Sequence, residues 1–136
     1  CLLAALAAAG CATSVSARKV MPLDQFRRVF VERQLNDNHQ LDLLFVAELK
    51  RLGYESSSGP ITMMPENADA VLTYDARWEW DFKTYLIELT LEVHTARTKK
   101  KLADARHYQP TIRTKEPALV IRELLAPLFA KAPAPQ

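Results

Sequence analysis

Residues 70–95 contain two consecutive stretches in which apolar and polar residues alternate, and this pattern restricts the fold most. The apolar positions are Leu72, Tyr74, Ala76, Trp78 and Trp80, followed by Tyr85, Ile87, Leu89, Leu91 and Val93. Strict alternation is typical of strands with one buried face. With Phe82 and Lys83 as a two-residue turn, the predicted pairs are Arg77 with Glu88, Trp78 with Ile87 and Trp80 with Tyr85. The sequence therefore predicts an antiparallel hairpin with Trp78 in the core.

A third strand is predicted over Leu102–Tyr108, which would extend the hairpin into a meander. Placing Val93 opposite Ala105 brings Glu92 opposite Arg106 and His94 opposite Asp104. Opposite charges facing each other on neighbouring strands attract, so this register is preferred over a shift by one residue.

The chain before the meander predicts a β-α-β unit. A short strand is expected over Arg28–Glu32, where β-branched and aromatic residues dominate. Apolar residues at helical spacing then predict an amphipathic helix of about four turns, from a capping box at Asp37 and Gln40 to a stop at Gly53. The apolar stripe of this helix comprises Leu41, Leu44, Phe45, Leu49 and Leu52, widened by Leu43 and Val46. A second short strand beginning at Tyr54 is expected either parallel or antiparallel to the first.

Two segments complete the predicted domain. Residues 56–60, Ser-Ser-Ser-Gly-Pro, are interpreted as a turn followed by a loop. After the meander, Thr114 is predicted to cap a second helix whose apolar stripe is Pro117, Ile121, Leu124, Leu125 and Leu128. Pro127 is expected to kink or end this helix. The fold class is therefore α+β, a two-layer arrangement in β-α-β-β-β-β-α order with a mixed sheet of four to five strands and two helices on one face.

The first ten residues, Cys-Leu-Leu-Ala-Ala-Leu-Ala-Ala-Ala-Gly, form an apolar stretch directly before Cys11. This stretch has the length of a signal-peptide core and is shorter than the roughly 20 residues that span a bilayer. The expected organisation is a signal segment over 1–10 that begins inside the natural signal, Cys11 and a tether over 11–22, one domain over 23–131, and a disordered tail over 132–136. A conventional cleavage site or a buried helix remain the alternatives for this segment.

The residues before Cys11 resemble a bacterial lipobox, the run of small residues before a cysteine that becomes acylated. The resemblance implies that Cys11 is the lipidation site and that the protein is attached to the membrane through it. The uncharged Ala12 is similar to the residue at this position in lipoproteins that are sorted to the outer membrane. Several acyl chains, at about 0.8 kcal/mol per buried methylene, anchor a protein almost permanently.

Composition and charge exclude several classes of function. The 136 residues carry a formal net charge of only +2 and suffice for one domain. Lys99, Lys100 and Lys101 form a basic run, which is expected to be a solvated hairpin tip. No nucleic-acid-binding motif accompanies the run, so no nucleic-acid partner is expected.

The titratable residues do not form a recognisable catalytic pattern. His94, Glu92 and Asp104 could form a weak surface metal site, but a cross-strand ion-pair network explains the same residues more simply. His39 is expected to be solvated. Trp78 and Trp80 could border a ligand site, although core packing is the preferred interpretation. The sequence therefore predicts no catalytic residues, no metal, no cofactor and no enzymatic activity.

In overall layout the chain resembles a group of uncharacterised proteobacterial envelope lipoproteins, on the patterns GYESSSGP at 53–60 and TYDARWEWDFKTYLIEL at 73–89. It is also similar in topology to the lipopolysaccharide-assembly lipoprotein LptE, in which two helices cover one side of a mixed sheet. These resemblances imply a non-catalytic lipoprotein on the periplasmic side of the outer membrane, of unknown oligomeric state. An envelope protein partner is expected at the polar sheet face, with Arg77, Glu88, Glu92 and Arg106 as its candidate residues. Binding of a small ligand or lipid is the alternative, and an envelope hydrolase is disfavoured.

Overall fold

A computed structural model describes residues 13–110 and 115–130 of the chain. In this part the elements are β1 (Ser14–Lys19), β2 (Arg28–Glu32), α1 (Leu41–Arg51), β3 (Glu55–Gly59), a 3-10 helix (Ile61–Met63), β4 (Ala70–Asp81), β5 (Lys83–Thr95), β6 (Lys101–Tyr108) and α2 (Pro117–Phe129). The strands form one six-stranded sheet in the order β1-β6-β5-β4-β2-β3. The α+β class is thus confirmed, with a mixed sheet of six strands in place of four to five.

Strand β1 occupies residues that the sequence analysis assigned to a tether. It pairs antiparallel with β6 from Ser14 opposite Tyr108 to Lys19 opposite Ala103. The sequence gives little sign of this strand because every residue of it except Ala17 is exposed. A strand at the edge of a sheet is held by hydrogen bonds to its one neighbour, and it needs no apolar pattern. The sheet therefore begins well before residue 23, the predicted start of the domain. The predicted signal segment 1–10, Cys11 and the tail 132–136 lie outside the described residues.

Strands β2 and β3 are parallel and precede and follow α1 along the chain, which confirms the predicted β-α-β unit. Of the two orientations expected for the second strand, the parallel one is correct. The helix begins at Leu41, with Gln40 rather than the predicted Asp37 at its N-cap. The Asp37 carboxylate accepts hydrogen bonds from the backbone N–H groups of Leu41 at 2.7 Å and His39 at 3.0 Å. Gln40 does not complete a capping box; it adopts a left-handed backbone conformation with a φ of 55°. Gly53 follows the helix with a φ of 97°, a conformation that favours glycine.

Two details of this unit differ from the sequence prediction. The helix has 11 residues, about three turns, and Leu43 lies outside its buried stripe with 51% of its surface exposed. Ser56–Gly59, interpreted as a turn, belong to β3, where hydrogen bonds with β2 stabilise a serine-rich edge strand.

The meander has the predicted order, and its registers agree with the prediction only in part. Arg77 lies opposite Glu88 as expected, whereas Trp78 lies opposite Leu86 because Ile87 forms a β-bulge. Beyond the bulge Trp80 faces Thr84, and Tyr85 moves to the opposite sheet face, beside Glu79. An extra residue in one strand of a pair shifts every later partner, and alternation alone does not reveal it.

The pairing of β5 with β6 also differs, by two residues. Val93 lies opposite Ala103, Glu92 opposite Asp104 and Thr90 opposite Arg106, and an irregularity follows Val93. A two-residue shift keeps each side chain on its predicted face. The predicted faces of β6 are therefore correct, but the predicted charge pairs are not.

Both helices lie on one face of the sheet and enclose the main core. The largest fully buried side chains there include Phe45 and Leu49 of α1, Leu72, Leu89 and Leu91 of the sheet, and Ile121, Leu124 and Leu125 of α2. The predicted apolar stripe of α2 is confirmed, and Pro117 opens the helix. Pro127 lies inside its last turn. Thr114, the predicted cap, lies outside the described residues.

The opposite sheet face is open over β4, β5 and β6. A small cluster of Phe30, Ala68, Val71 and Ala96, joined by Met64, covers part of it near β2. The segment between β3 and β4 supplies Met64 to this cluster, while Met63 is 72% exposed. Among the described residues, no helix is both long and apolar enough to cross a bilayer.

Candidate interaction surface

The four residues predicted to face a partner, Arg77, Glu88, Glu92 and Arg106, lie on the open face of the sheet. We call this surface the polar face and define it by Arg18, Thr73, Asp75, Arg77, Glu88, Thr90, Glu92, Lys101, Asp104, Arg106 and Tyr108. It lies on the central strands β4, β5 and β6, with one contribution from β1. The helices pack against the other side.

Glu88 takes part in the shortest ion pair of the polar face. Arg106 donates to one of its carboxylate oxygens from Nε at 3.0 Å and from Nη2 at 2.5 Å. Arg77, opposite Glu88 in the register, lies over the ring of Tyr108 with its guanidinium carbon 5.9 Å from the ring centroid, and Arg106 lies at 5.3 Å. Tyr108 therefore lies within cation–π distance of two guanidinium groups.

Glu92 does not pair with Arg106, in contrast to the sequence prediction. Its carboxylate lies 3.6 Å from the Lys101 ammonium and 3.5 Å from the His94 ring. The two-residue register difference explains the change, because it places Arg106 nearer to Glu88. The structure thus confirms an ion-pair network on this face, but the residues pair differently from the prediction.

Asp104 joins β1 to this network. Its carboxylate lies 2.9 Å from the Lys101 ammonium and 3.4 Å from the Arg18 guanidinium. The hydrogen bond from Lys101, together with the weaker one from Arg18, lowers the pKa of Asp104, and the same Lys101 contact raises the pKa of the lysine. Arg18 was missed by the sequence analysis because its strand has no apolar pattern.

The polar face is concave but not enclosed. A shallow depression runs between Thr73, Thr90, Glu92 and Arg106. Its rim carries both signs of charge. Such a surface is suited to a partner of matching mixed charge rather than to a buried small molecule.

Around the first turn of α1 lies a second polar cluster, whose groups serve the fold. Tyr74 donates its hydroxyl proton to Asp37 at 2.6 Å, and burial followed by this hydrogen bond raises the pKa of Tyr74 strongly. Asp42, fully buried, accepts from Arg33 and from the Ser58 hydroxyl, each at 2.9 Å. Every one of these groups has a partner, so the cluster joins α1 to β2, β3 and β4.

His107 lies on the helix side of β6 and is almost completely buried. Its Nε2 lies 3.2 Å from a Glu123 carboxylate oxygen, and Lys115 pairs with the other oxygen at 2.5 Å. Burial lowers the pKa of His107, partly opposed by Glu123, while Lys115 lowers the pKa of Glu123. This pair connects the sheet to α2.

The two tryptophans differ from the core interpretation. Trp78 is half-buried at the edge of the core, and the ring of His39 stacks on it at a centroid distance of 3.7 Å. Trp80 is 72% exposed. His39 is exposed, in agreement with the expectation that it is solvated, and its ring also contacts Trp78. Trp80 lies outside the core.

A metal-binding arrangement was also weighed on the sequence. Among residues 13–110 and 115–130, no group of three or more His, Cys, Asp or Glu side chains is placed to hold a metal ion. His94 and Asp104, considered for such a site, contact Glu92 and Lys101 respectively.

The fold is shared with PelC from Paraburkholderia phytofirmans, which was solved as a dodecamer. Two crystal forms match with TM-scores of 0.69 and 0.68 at 17% and 16% identity, covering 88% and 89% of this chain and 100% of the PelC chain. Identity at this level shows a common fold and nothing further.

Weaker likenesses include lipoprotein GNA1162 from Neisseria meningitidis, with a TM-score of 0.46, 14% identity and coverage of 69% of this chain and 88% of the other. TolB from Acinetobacter baumannii matches with a TM-score of 0.49, 16% identity and coverage of 80% of this chain and 29% of the other. Scores below 0.5 carry no functional argument. No protein-family model and no curated protein matches the chain.

Proposed function

We propose that this protein is a non-catalytic lipoprotein of the bacterial envelope, anchored through Cys11 to the periplasmic side of the outer membrane. It acts there as an assembly component, and the polar face binds its partner. The observation that carries the proposal is the organised set of charges on a sheet face that neither helix covers.

The exposed ion pairs on this face contribute little to folding, roughly 0 to 1 kcal/mol each. A role in recognition explains their arrangement better, because Arg106, Glu88 and Tyr108 hold one another in fixed positions. Pre-positioned charges of both signs reject unmatched surfaces and favour a complementary one.

The first partner to consider is another copy of this chain. PelC, which has the same fold, was solved as a dodecamer. A surface that carries both signs of charge can face a second copy of the same chain in a complementary arrangement.

Binding of a small ligand beside the tryptophans is less well supported. The His39 ring already occupies one face of Trp78, and the depression next to it is open. The similarity to LptE stays a prediction from topology.

The decisive experiment on the polar face is the double reversal Arg77→Glu and Arg106→Glu. We expect the melting temperature to fall by no more than a few degrees, whereas oligomers in native mass spectrometry and crosslinks in intact envelopes are lost. The control is Arg27→Glu with Lys99→Glu, which changes the net charge equally at exposed positions outside this surface. If the first variant keeps every oligomer and crosslink, the polar face is not the binding surface.

The anchor is tested separately with Cys11→Ala. Metabolic labelling with a fatty-acid analogue should mark the unaltered protein and leave the variant unlabelled, and the variant should leave the membrane fraction. Equal labelling of the two proteins would contradict the proposed anchor.

A further inference from the structure

The end of the β4–β5 hairpin carries exposed aromatic side chains that the polar face does not use. Trp80 is 72% exposed and Phe82, in the turn with a φ of 62°, is 95% exposed. Lys83 follows at the first position of β5 and is also exposed. We call Trp80, Phe82 and Lys83 the hairpin tip. Large exposed aromatic groups on a projecting turn are costly in water, which indicates that they have a binding partner.

The strand registers place this tip at the end of the sheet where the chain enters. Ser14 pairs with Tyr108, Tyr108 with Glu88, and Glu88 with Arg77, so these four residues form one row across the sheet. Beyond this row β4 and β5 pair with no other strand of the described part of the chain and continue for four more residue pairs, ending at Asp81 and Lys83. Gln109 bonds to the backbone of Leu86 and Ile87 at the base of this extension. At about 3.3 Å per residue, the tip projects roughly 13 Å past the row.

Cys11 precedes Ser14 by three residues. Three residues of extended chain reach at most about 10 to 11 Å, so Cys11 cannot lie far from the sheet end on which the hairpin tip projects. The reach of the chain before Ser14 and the projection of the hairpin are thus comparable. A lipid surface that received an acyl group on Cys11 would lie within reach of Trp80 and Phe82.

We propose that the hairpin tip inserts into the headgroup region of the bilayer beside the anchor. This inference rests on the proposed lipidation of Cys11. Tryptophan and phenylalanine are favoured at membrane interfaces, where their rings leave water, and the lysine ammonium remains among the headgroups. The sequence from 79 to 83, Glu-Trp-Asp-Phe-Lys, has no excess of positive charge, so the contact is aromatic and needs no anionic lipid.

The contact would fix the orientation of the domain. The anchor holds one edge of the sheet end through β1, and the tip lies at the end of β5 and β4, which are two and three strands away from β1. Two points of attachment restrict tilting, so the strands would stand steeply on the membrane and the polar face would look sideways, toward neighbouring proteins in the same membrane.

The test uses the full lipidated chain in vesicles of phosphatidylcholine. Trp78→Phe leaves Trp80 as the one remaining tryptophan of the two in the sequence. Phosphatidylcholine brominated on its acyl chains should quench Trp80 emission at least about twofold, as for a tryptophan at the interface. Unquenched emission from a folded, membrane-bound protein would overturn the inference.

A second measurement uses the unlipidated Cys11→Ala chain, so that the tip alone determines vesicle binding. Trp80→Ser with Phe82→Ser should weaken the partitioning into vesicles at least about tenfold, because two aromatic side chains no longer leave water. The control is Val20→Ser, which removes an apolar side chain of 67% exposure next to the opposite end of β1. Equal losses from the tip and the control variants would also overturn the inference.

The outcomes separate the tip from the anchor. If the protein carries the fatty-acid label but shows no quenching, the anchor is supported and the tip contact is contradicted. If Trp80 is quenched but the protein carries no label, the tip contact is supported and the proposed anchor is contradicted.

Discussion

The two halves of the β4–β5 hairpin look alike in sequence and differ in the structure. In the base, residues 70–77 paired with 88–95, the apolar side chains Leu72, Tyr74 and Leu89 are at most 3% exposed. In the outer half, residues 78–86, the alternation continues, yet Trp80 is 72% exposed. The difference shows that alternation predicts a strand and its faces, whereas burial depends on which other element covers the face.

The bulge at Ile87 marks the boundary between these halves. Up to Arg77 and Glu88 the pairing agrees with the sequence prediction, and beyond them the face of each β5 residue changes. Ile87 itself is buried, and its backbone carbonyl accepts a hydrogen bond from the Gln109 N–H at 2.8 Å. The bulge thus joins the hairpin to the chain that leads to α2.

Truncation in the base should have the largest effect on stability. Leu89→Ala removes a fully buried side chain beneath the helices, and we expect it to lower the free energy of unfolding by about 2 to 5 kcal/mol. Urea denaturation measures the change. Leu43→Ala, at a half-exposed site on α1, serves as the control and should cost less than about 1 kcal/mol. Equal losses would show that the two leucines are equally covered.

Trp78, just past the bulge, should give an intermediate value. The core interpretation from sequence corresponds to a loss of about 3 to 5 kcal/mol for Trp78→Ala. The structure lowers this expectation to about 1 to 3 kcal/mol, because the ring is half-buried and packs on His39. The same denaturation assay decides between the two ranges, and a loss above 4 kcal/mol would support the core interpretation.

The stability of the domain should also depend on pH through His107, which lies opposite Leu89 of the base. Burial lowers its pKa in the folded state, so the unfolded chain binds the proton first as pH falls. The stability it contributes is complete above the usual histidine pKa of about 6.5 and is lost as pH falls below that value. We therefore expect the free energy of unfolding to be lower at pH 5.5 than at pH 7.5. Denaturation of His107→Gln at both pH values should show a clearly smaller change, and an unchanged pH dependence would contradict this role.

The smallest effect is expected at the hairpin tip. Trp80→Ala should change the free energy of unfolding by no more than about 0.5 kcal/mol, since the exposed ring loses few contacts. Thermal unfolding in detergent-free buffer measures this change. A large loss of stability would show that Trp80 packs against the rest of the protein, and it would contradict the difference between base and tip.

The parts of the fold that were predictable are those in which local pattern and burial agree. The stripe of α2 and the pairing of Arg77 with Glu88 follow from spacing and charge. The edge strands were not predictable, because Ser14–Lys19 and Ser56–Gly59 are polar and gain their structure from the neighbouring strand.

The residues of the candidate site were easier to predict from the sequence than the ion pairs that they form. Arg106 and Glu88 lie on the polar face as predicted. Their direct contact was not predicted, because the observed register of β5 and β6 differs by two residues from the predicted one. Tyr108 and Arg18 were missed. The contact of His107 with Glu123 of α2 joins residues that are distant in sequence, so a local pattern does not reveal it.

The pairing of β1 with β6 has a mechanical consequence. A pull on the chain before Ser14, directed away from the sheet, acts along the axis of β1 and loads all six residue pairs from Ser14–Tyr108 to Lys19–Ala103 in shear. Ladder hydrogen bonds lie perpendicular to the strands, so a force along the strand strains them together, whereas peeling would break them one after another. Traction from this end is therefore resisted by the whole strand at once.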